Sequence, residues 1–258
     1  MVAGLPNLFV DDEKMKQTDL FVQVEKLLHL SDVESREQAY VLMRNEYDKP
    51  KTLRDFEFMW RLARTTHLYV EACIRLSHHN RSKRVDIKGL QFEAKEYALE
   101  ALKLNPNDPN VHQWCAQTIG GTTRFVSIGE KILIGYRFKE HIEQAISLNS
   151  KDARLRHLKG RFCFELASLG WLERKLAAVF YQQPPESTYD EALEEFFLAE
   201  KIKPNSSVDN LLQIARCYVG KNEKSTAKEY LKRAQSIAAK TPEDVTATQE
   251  VLVLLRKL

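Results

Sequence analysis

The sequence predicts an all-α protein, an α-α superhelix of antiparallel helix hairpins, several of them enlarged. Three observations predict it. An alanine is followed three residues later by Leu or Ile four times, at Ala101 and Leu104, Ala145 and Leu148, Ala199 and Ile202, and Ala234 and Ile237. Each alanine closes an i, i+4, i+7 stripe: Ala94/Ala98/Ala101, Phe138/Ile142/Ala145, Ala192/Phe196/Ala199 and Ala227/Leu231/Ala234. Such a stripe is one narrow apolar helix face whose small last residue lets a second helix come close. Upstream of each stripe stands another small residue, in Leu62-Ala63-Arg64, Cys115-Ala116-Gln117, Lys159-Gly160-Arg161 and Ile214-Ala215-Arg216, where the partner helix of a hairpin belongs.

Spacing sets the kind of repeat. Ala215 precedes Ala234 by 19 residues, the separation found in a tetratricopeptide repeat of about 34 residues. The Ala63, Ala116 and Gly160 hairpins are longer than this by about 19, 10 and 20 residues. The array is therefore tetratricopeptide-like with enlarged hairpins. Residues 1–18 are expected to be a flexible N-terminus and 19–258 a single repeat domain.

The elements follow in order. Leu20 to Leu30 and Val33 to Tyr47 are amphipathic, and Ser31-Asp32 between them is suited to N-capping the second. Lys49-Pro50 interrupts, and Thr52-x-x-Asp55 resembles a cap for a helix carrying Phe56, Met59, Trp60 and Ala63 toward His78. Pro106 and Pro204 each follow a stripe alanine by five residues, where a ring without an N–H ends a helix or starts the next segment. The insertion from Leu166 to Thr188 carries Trp171, Leu172, Leu176, Val179 and Phe180 near helical spacing before Pro184-Pro185, which predicts a short extra helix. Thr188-x-x-Glu191 then reads as a capping box opening the next repeat helix.

Composition narrows the function classes. Apolar residues make up 43% and charged residues 29% of the chain, as in a folded, helix-rich protein. No apolar run approaches the ~20 residues of a membrane span, so a cytoplasmic protein is expected. The cysteines Cys73, Cys115, Cys163 and Cys217 lie far apart with no C-x-x-C pair and read as reduced, buried small residues. A net charge of +3 does not call for a polyanion by itself, and nucleic acid is not expected as a partner. Clusters of basic residues nevertheless stand at 81–84, 154–161, 174–175 and 221–233.

No catalytic constellation is legible. Gly220-Lys221 is followed by Asn222, not the Ser or Thr of a phosphate-binding loop. His78-His79 point about 100° apart on a helix, with no further ligand at i+3 or i+4. A non-enzyme without metal or cofactor is the expectation.

Repeat phase points instead to a binding surface. If Ala63, Ala116, Gly160 and Ala215 face the partner helix, the next residues, Arg64, Gln117, Arg161 and Arg216, face the inner groove. Together with Arg154 they would form a basic stripe able to grip the carboxylates of an extended acidic peptide. The alternative is that these arginines pair with glutamates of neighbouring repeats and only tie the array together.

The chain also resembles the family called regulators of microtubule dynamics. The resemblance is carried by Trp60-Arg-Leu-Ala-Arg64, by His112-Gln-Trp114-Cys-Ala116 and by Lys139-Glu-His141-Ile-Glu-Gln-Ala145-Ile. Pro184-Pro-Glu-Ser-Thr188-Tyr-Asp-Glu-Ala192-Leu adds to it, and the match runs from about Phe56 to the C-terminus. It implies association with tubulin and microtubules, mitotic regulatory proteins as further partners, and a place at the spindle and spindle poles. The implied role is in spindle organisation and chromosome segregation. Some relatives carry a membrane anchor and bind phospholipid, so the alternative is a lipid-binding or lipid-transfer module with its ligand near the Trp171 to Tyr181 insertion. A peptide scaffold for kinases or motor proteins is a third reading.

Overall fold

The computed structural model describes residues 8–30, 32–50, 53–77, 85–170, 185–239 and 242–258. Every regular element among them is a helix. Contacts gather the chain into two compact units, 1–106 and 107–258, where the sequence leads to the expectation of one domain over 19–258. The division falls just after Pro106, which follows the last turn of a helix.

The first unit holds α1 (Leu8–Leu30), α2 (Val33–Tyr47), α3 (Phe56–Ser77) and α4 (Ile87–Leu104), each packed on the one before. Helix α1 starts inside the stretch expected to be flexible. The Gln17 Nε2 amide donates to the Leu53 carbonyl at 2.8 Å and ties this part of the helix to the segment leading into α3. Asp32 caps α2 by accepting the Ser35 N–H at 2.7 Å, which satisfies one of the orphan donors of a helix start. Ser31 and Thr52, expected to share in capping, lie outside the described residues. Asp55 takes the capping role for α3, accepting the Phe58 N–H at 2.9 Å.

The core of this unit joins Ala39 and Met43 of α2, Phe58, Met59, Leu62, Ala63 and Val70 of α3, and Ala94, Ala98 and Ala101 of α4, all fully buried. Polar bridges fix the register of the helices. His67 meets Gln91 at 3.1 Å between α3 and α4, and Tyr40 stacks on Tyr69 at 5.4 Å between α2 and α3. Arg44 reaches from α2 to Glu93 at 2.9 Å and to the Tyr97 hydroxyl on α4.

The second unit holds α5 (Pro109–Gly121), a 3-10 turn (Thr122–Phe125), α6 (Ile128–Leu148), α7 (Ala153–Ser168), α8 (Tyr189–Ile202), α9 (Val208–Gly220), α10 (Lys224–Gln235) and α11 (Pro242–Lys257). Three hairpins result, α5/α6, α7/α8 and α9/α10, and α11 packs on both helices of the last. Side-chain caps open five of these helices: Asp108, Ser127 with Glu130, Asp152, Thr188 with Glu191, and Ser207. The Thr188 capping box is the one the sequence predicts.

Enlargement of the first hairpin is visible as the 3-10 turn and as α6, 21 residues against the 13 of α5. In the second, α7 continues to Ser168. The expected insertion helix, with Trp171, Leu172, Leu176, Val179 and Phe180, lies outside the described residues.

Gly160 explains why the first helix of a hairpin needs a small residue. A Cβ there would sit 2.7 Å from the ring of Phe196, the fully buried middle residue of the α8 stripe. The same close approach recurs with alanine, where Ala116 meets the cluster of Ile142 and Ala145, and Ala215 that of Ala227, Leu231 and Ala234. Helix α11, which the repeat pattern does not announce, completes the core with Ala247 and Val251. The four cysteines are free thiols, three of them buried.

Candidate functional site

Positions Arg64, Gln117, Arg154, Arg161 and Arg216 do not form a set of equivalent, available side chains. Arg64, in the first unit, donates to Glu25 of α1 at 2.5 Å, and its side chain keeps 22% of its surface. Arg154 turns back on the cap of its own helix, with Nη2 2.7 Å and Nε 3.1 Å from the Asp152 carboxylate. Arg216 on α9 pairs with Glu250 on α11 at 2.5 Å. Arg64 and Arg216 do what the alternative reading describes, pairing with glutamates of other helices, while Arg154 pairs with the cap aspartate of its own helix.

Arg161 behaves differently. It is exposed on α7 and makes no ion pair among the described residues. Gln117 is half-buried on α5.

Around Arg161 the structure shows a polar seam that the sequence reading missed. His157, one turn earlier on α7, places Nε2 3.0 Å from Asp209 Oδ2 and Nδ1 3.0 Å from Asn210 Oδ1 at the start of α9. The Gln213 amide donates to the other Asp209 oxygen at 2.9 Å. Burial pushes the Asp209 carboxyl up, but the bond and charge of His157, the charge of Arg161 and the Gln213 amide outweigh it. The group ends well below the usual carboxylate range and stays ionised. On α8, Glu195 keeps 11% of its side-chain surface and accepts from Arg156 at 3.1 Å and Lys159 at 2.9 Å.

Both nitrogens of His157 are engaged with oxygens, so the ring bridges α7 and α9 and has no nitrogen turned toward a nucleophile. No cluster of three metal-ligating side chains occurs among the described residues. None of the described helices is long and apolar enough to cross a membrane.

The same unit holds a groove of about 590 Å³, lined by Phe164 of α7, Tyr189 of α8, Arg216 and Val219 of α9, and Glu250 and Val253 of α11. Its wall is apolar and the Arg216–Glu250 pair is its charged edge. The side chains of the pair keep 37% and 46% of their surface, so water and solutes reach both charges. What the arrangement offers chemically is an apolar furrow edged by one exchangeable guanidinium, Arg216, and, on the neighbouring helix α7 but outside the furrow's lining, one guanidinium without an ion pair, Arg161.

The missed partners had a partial signal. Glu250 lies 34 residues after Arg216, one repeat period on. Glu25, Glu195 and Asp209 follow no spacing rule that a single sequence displays.

Known proteins share this architecture. The family described as Regulator of microtubule dynamics protein 1-3 matches residues 20–258. A relative in Xenopus laevis, Regulator of microtubule dynamics protein 3, is 35% identical over 240 residues, 93% of this chain and 50% of the relative. Regulator of microtubule dynamics protein 1 of Bos taurus is 34% identical over 256 residues, 99% of this chain and 74% of that one. The chain thus spans half of the frog relative and about three quarters of the cattle relative. Among solved structures, a thermophilic tetratricopeptide-repeat protein of Thermus thermophilus superposes with a TM-score of 0.61 at 15% identity, covering 92% of this chain and 99% of that one. At that identity the likeness establishes the fold, an all-α tetratricopeptide-like array of antiparallel hairpins.

Proposed function

Because the chain belongs to the regulator of microtubule dynamics family, we propose that it is a non-catalytic, microtubule-associated adaptor that holds extended acidic peptides, tubulin tails foremost. The family match over residues 20–258 carries this reading. Two features of the second unit support its mechanism. Arg161 is open to a ligand, and Arg216 is held only by an exposed ion pair, of the kind worth about 0–1 kcal/mol. A peptide carboxylate can take both in turn, while its apolar side chains enter the furrow between α9 and α11.

On this reading the protein associates with the cytoskeleton, works in the cytoplasm at spindle and spindle poles, and serves spindle organisation and chromosome segregation alongside mitotic regulatory proteins. The test is pelleting with microtubules in rising salt. Binding should weaken steadily as charges are screened within a Debye length of about 8–10 Å. Arg161→Glu/Arg216→Glu should bind far less with its helicity unchanged, and equal pelleting of the two proteins would refute the peptide-clamp mechanism.

The furrow also favours a second reading, a phospholipid-binding or lipid-transfer module. Phe164 and Tyr189 line it, and they bracket the insertion expected to border a lipid. Its volume of about 590 Å³ is that of a small-molecule site. Native mass spectrometry separates the readings, since a copurified phospholipid supports the second and a clean protein mass supports the first.

A further inference from the structure

We propose that α10 carries a second acidic-peptide surface, a lysine ladder formed by Lys224, Lys228 and Lys232. The surface lies outside the furrow and outside the Arg161 seam. It rests on the adaptor reading only for the identity of the acidic chain met in the cell.

The three residues stand at i, i+4 and i+8, on one line along the helix. Lys224 and Lys232 are exposed and Lys228 is half-buried, the ordinary state of a cationic side chain whose apolar stem covers surface while its head stays in water. None of the three side chains makes an ion pair or hydrogen bond among the described residues. The other cations of this region are engaged: Lys221 pairs with Asp190 at 2.5 Å, and Arg233 with Glu200 at 3.0 Å. With Arg233 neutralised by Glu200, the helix still carries Lys224, Lys228 and Lys232 against the single carboxylate of Glu229, which leaves the ladder net positive.

Spacing selects the partner. Successive lysines of the ladder rise about 6 Å along the axis. Alternate side chains of an extended polypeptide repeat every ~6.6–6.8 Å on one side. A glutamate-rich segment laid along α10 therefore meets an ammonium with every second residue, and the four-carbon stems absorb the small mismatch and the slow turn of the row. Of the apolar residues of this helix, Ala227, Leu231 and Ala234 are fully buried in the core, and the half-buried Tyr230 packs against Phe197 and Tyr218. With its apolar side occupied in this way, the ladder suits a linear polyanion better than insertion into a membrane surface.

The test uses a fluorescent decaglutamate peptide, anisotropy titration and the full chain. The unaltered protein should bind it with an affinity that falls as salt rises. Lys224→Gln/Lys228→Gln/Lys232→Gln should bind about tenfold more weakly at an unchanged melting temperature, the sum of three exposed pairs. The triple Lys→Arg protein should bind like the original. Undiminished decaglutamate binding by the triple Gln protein, or no binding by the unaltered one, overturns the assignment. So does loss of phosphatidylserine-vesicle binding in the triple Gln protein with its peptide binding intact, which would make the ladder a lipid site. A protein that binds decaglutamate through the ladder yet fails to pellet with microtubules upholds this assignment and refutes the adaptor reading.

Discussion

Arg216 and Glu250 are 34 residues apart in the chain and 2.5 Å apart in space. The interval is one repeat, so Glu250 stands on α11 where Arg216 stands on α9, and one repeat neutralises the next. This makes the pair a competitor for any acidic ligand of Arg216. Glu250→Gln should raise the affinity for an acidic peptide about threefold and change stability by less than about 1 kcal/mol, since both partners are exposed. Peptide titration and urea unfolding of the same preparation read the two effects separately.

Glu195 presents the opposite case. It keeps 11% of its surface and faces two cations, Arg156 and Lys159, whose side chains keep 20% and 26%. Glu195→Gln should cost about 3 kcal/mol, because the cations remain enclosed without their counter-charge. Equilibrium urea unfolding measures this as a lower midpoint with an unchanged slope.

Gly160 sets the approach of α7 to α8. Gly160→Ala puts a methyl into the Phe196 ring, an overpacking worth about 1–3 kcal/mol. Adding Phe196→Leu should recover part of that loss, although Phe196→Leu alone destabilises. A thermal double-mutant cycle with no coupling between the two sites would show that the helices do not meet there.

Acid should loosen the α5/α6 hairpin. His112 and His141 face each other with their Nδ1 atoms 3.1 Å apart. Burial, with the neighbouring His112 and Arg137, holds His141 below its usual 6.5 against the opposing pull of Glu140. The unfolded chain takes up this proton first as pH falls, so the stability from the site is fully present above pH 6.5 and declines below it. His141→Gln should flatten that decline, which melting temperatures across the range will measure.

Thiol reactivity follows burial. Burial pushes the thiols of Cys115 and Cys217 up to about 12, while Cys73 is half-buried. A maleimide should label Cys73 first and reach Cys115 and Cys217 at the rate of unfolding. Peptide mass spectrometry over a time course reads the order directly.

The hairpins were legible in the sequence because close helix packing leaves a written trace. Gly160, Ala116 and Ala215 are small for the same steric reason, and their partner stripes recur at fixed intervals. Helix α11 left a weaker trace, since its inward row, Ala247, Val251 and Leu254, lacks the closing alanine of the other stripes. For the arginines of the expected stripe, the sequence carried their positions and not their partners. Repeat phase located Arg64, Arg161 and Arg216 on first helices, but that Arg64 meets Glu25 and Arg216 meets Glu250 while Arg161 makes no ion pair is decided by tertiary packing. His157 gave no signal because a histidine that bridges two helices resembles any other helical histidine until Asp209 and Asn210 stand beside it.

The most direct test of the adaptor reading is pelleting with microtubules whose acidic tubulin tails have been removed by protease, beside intact ones. If the Arg161 and Arg216 face holds those tails, the protein pellets with intact microtubules and stays in solution with the cleaved ones. Equal pelleting with both would contradict it.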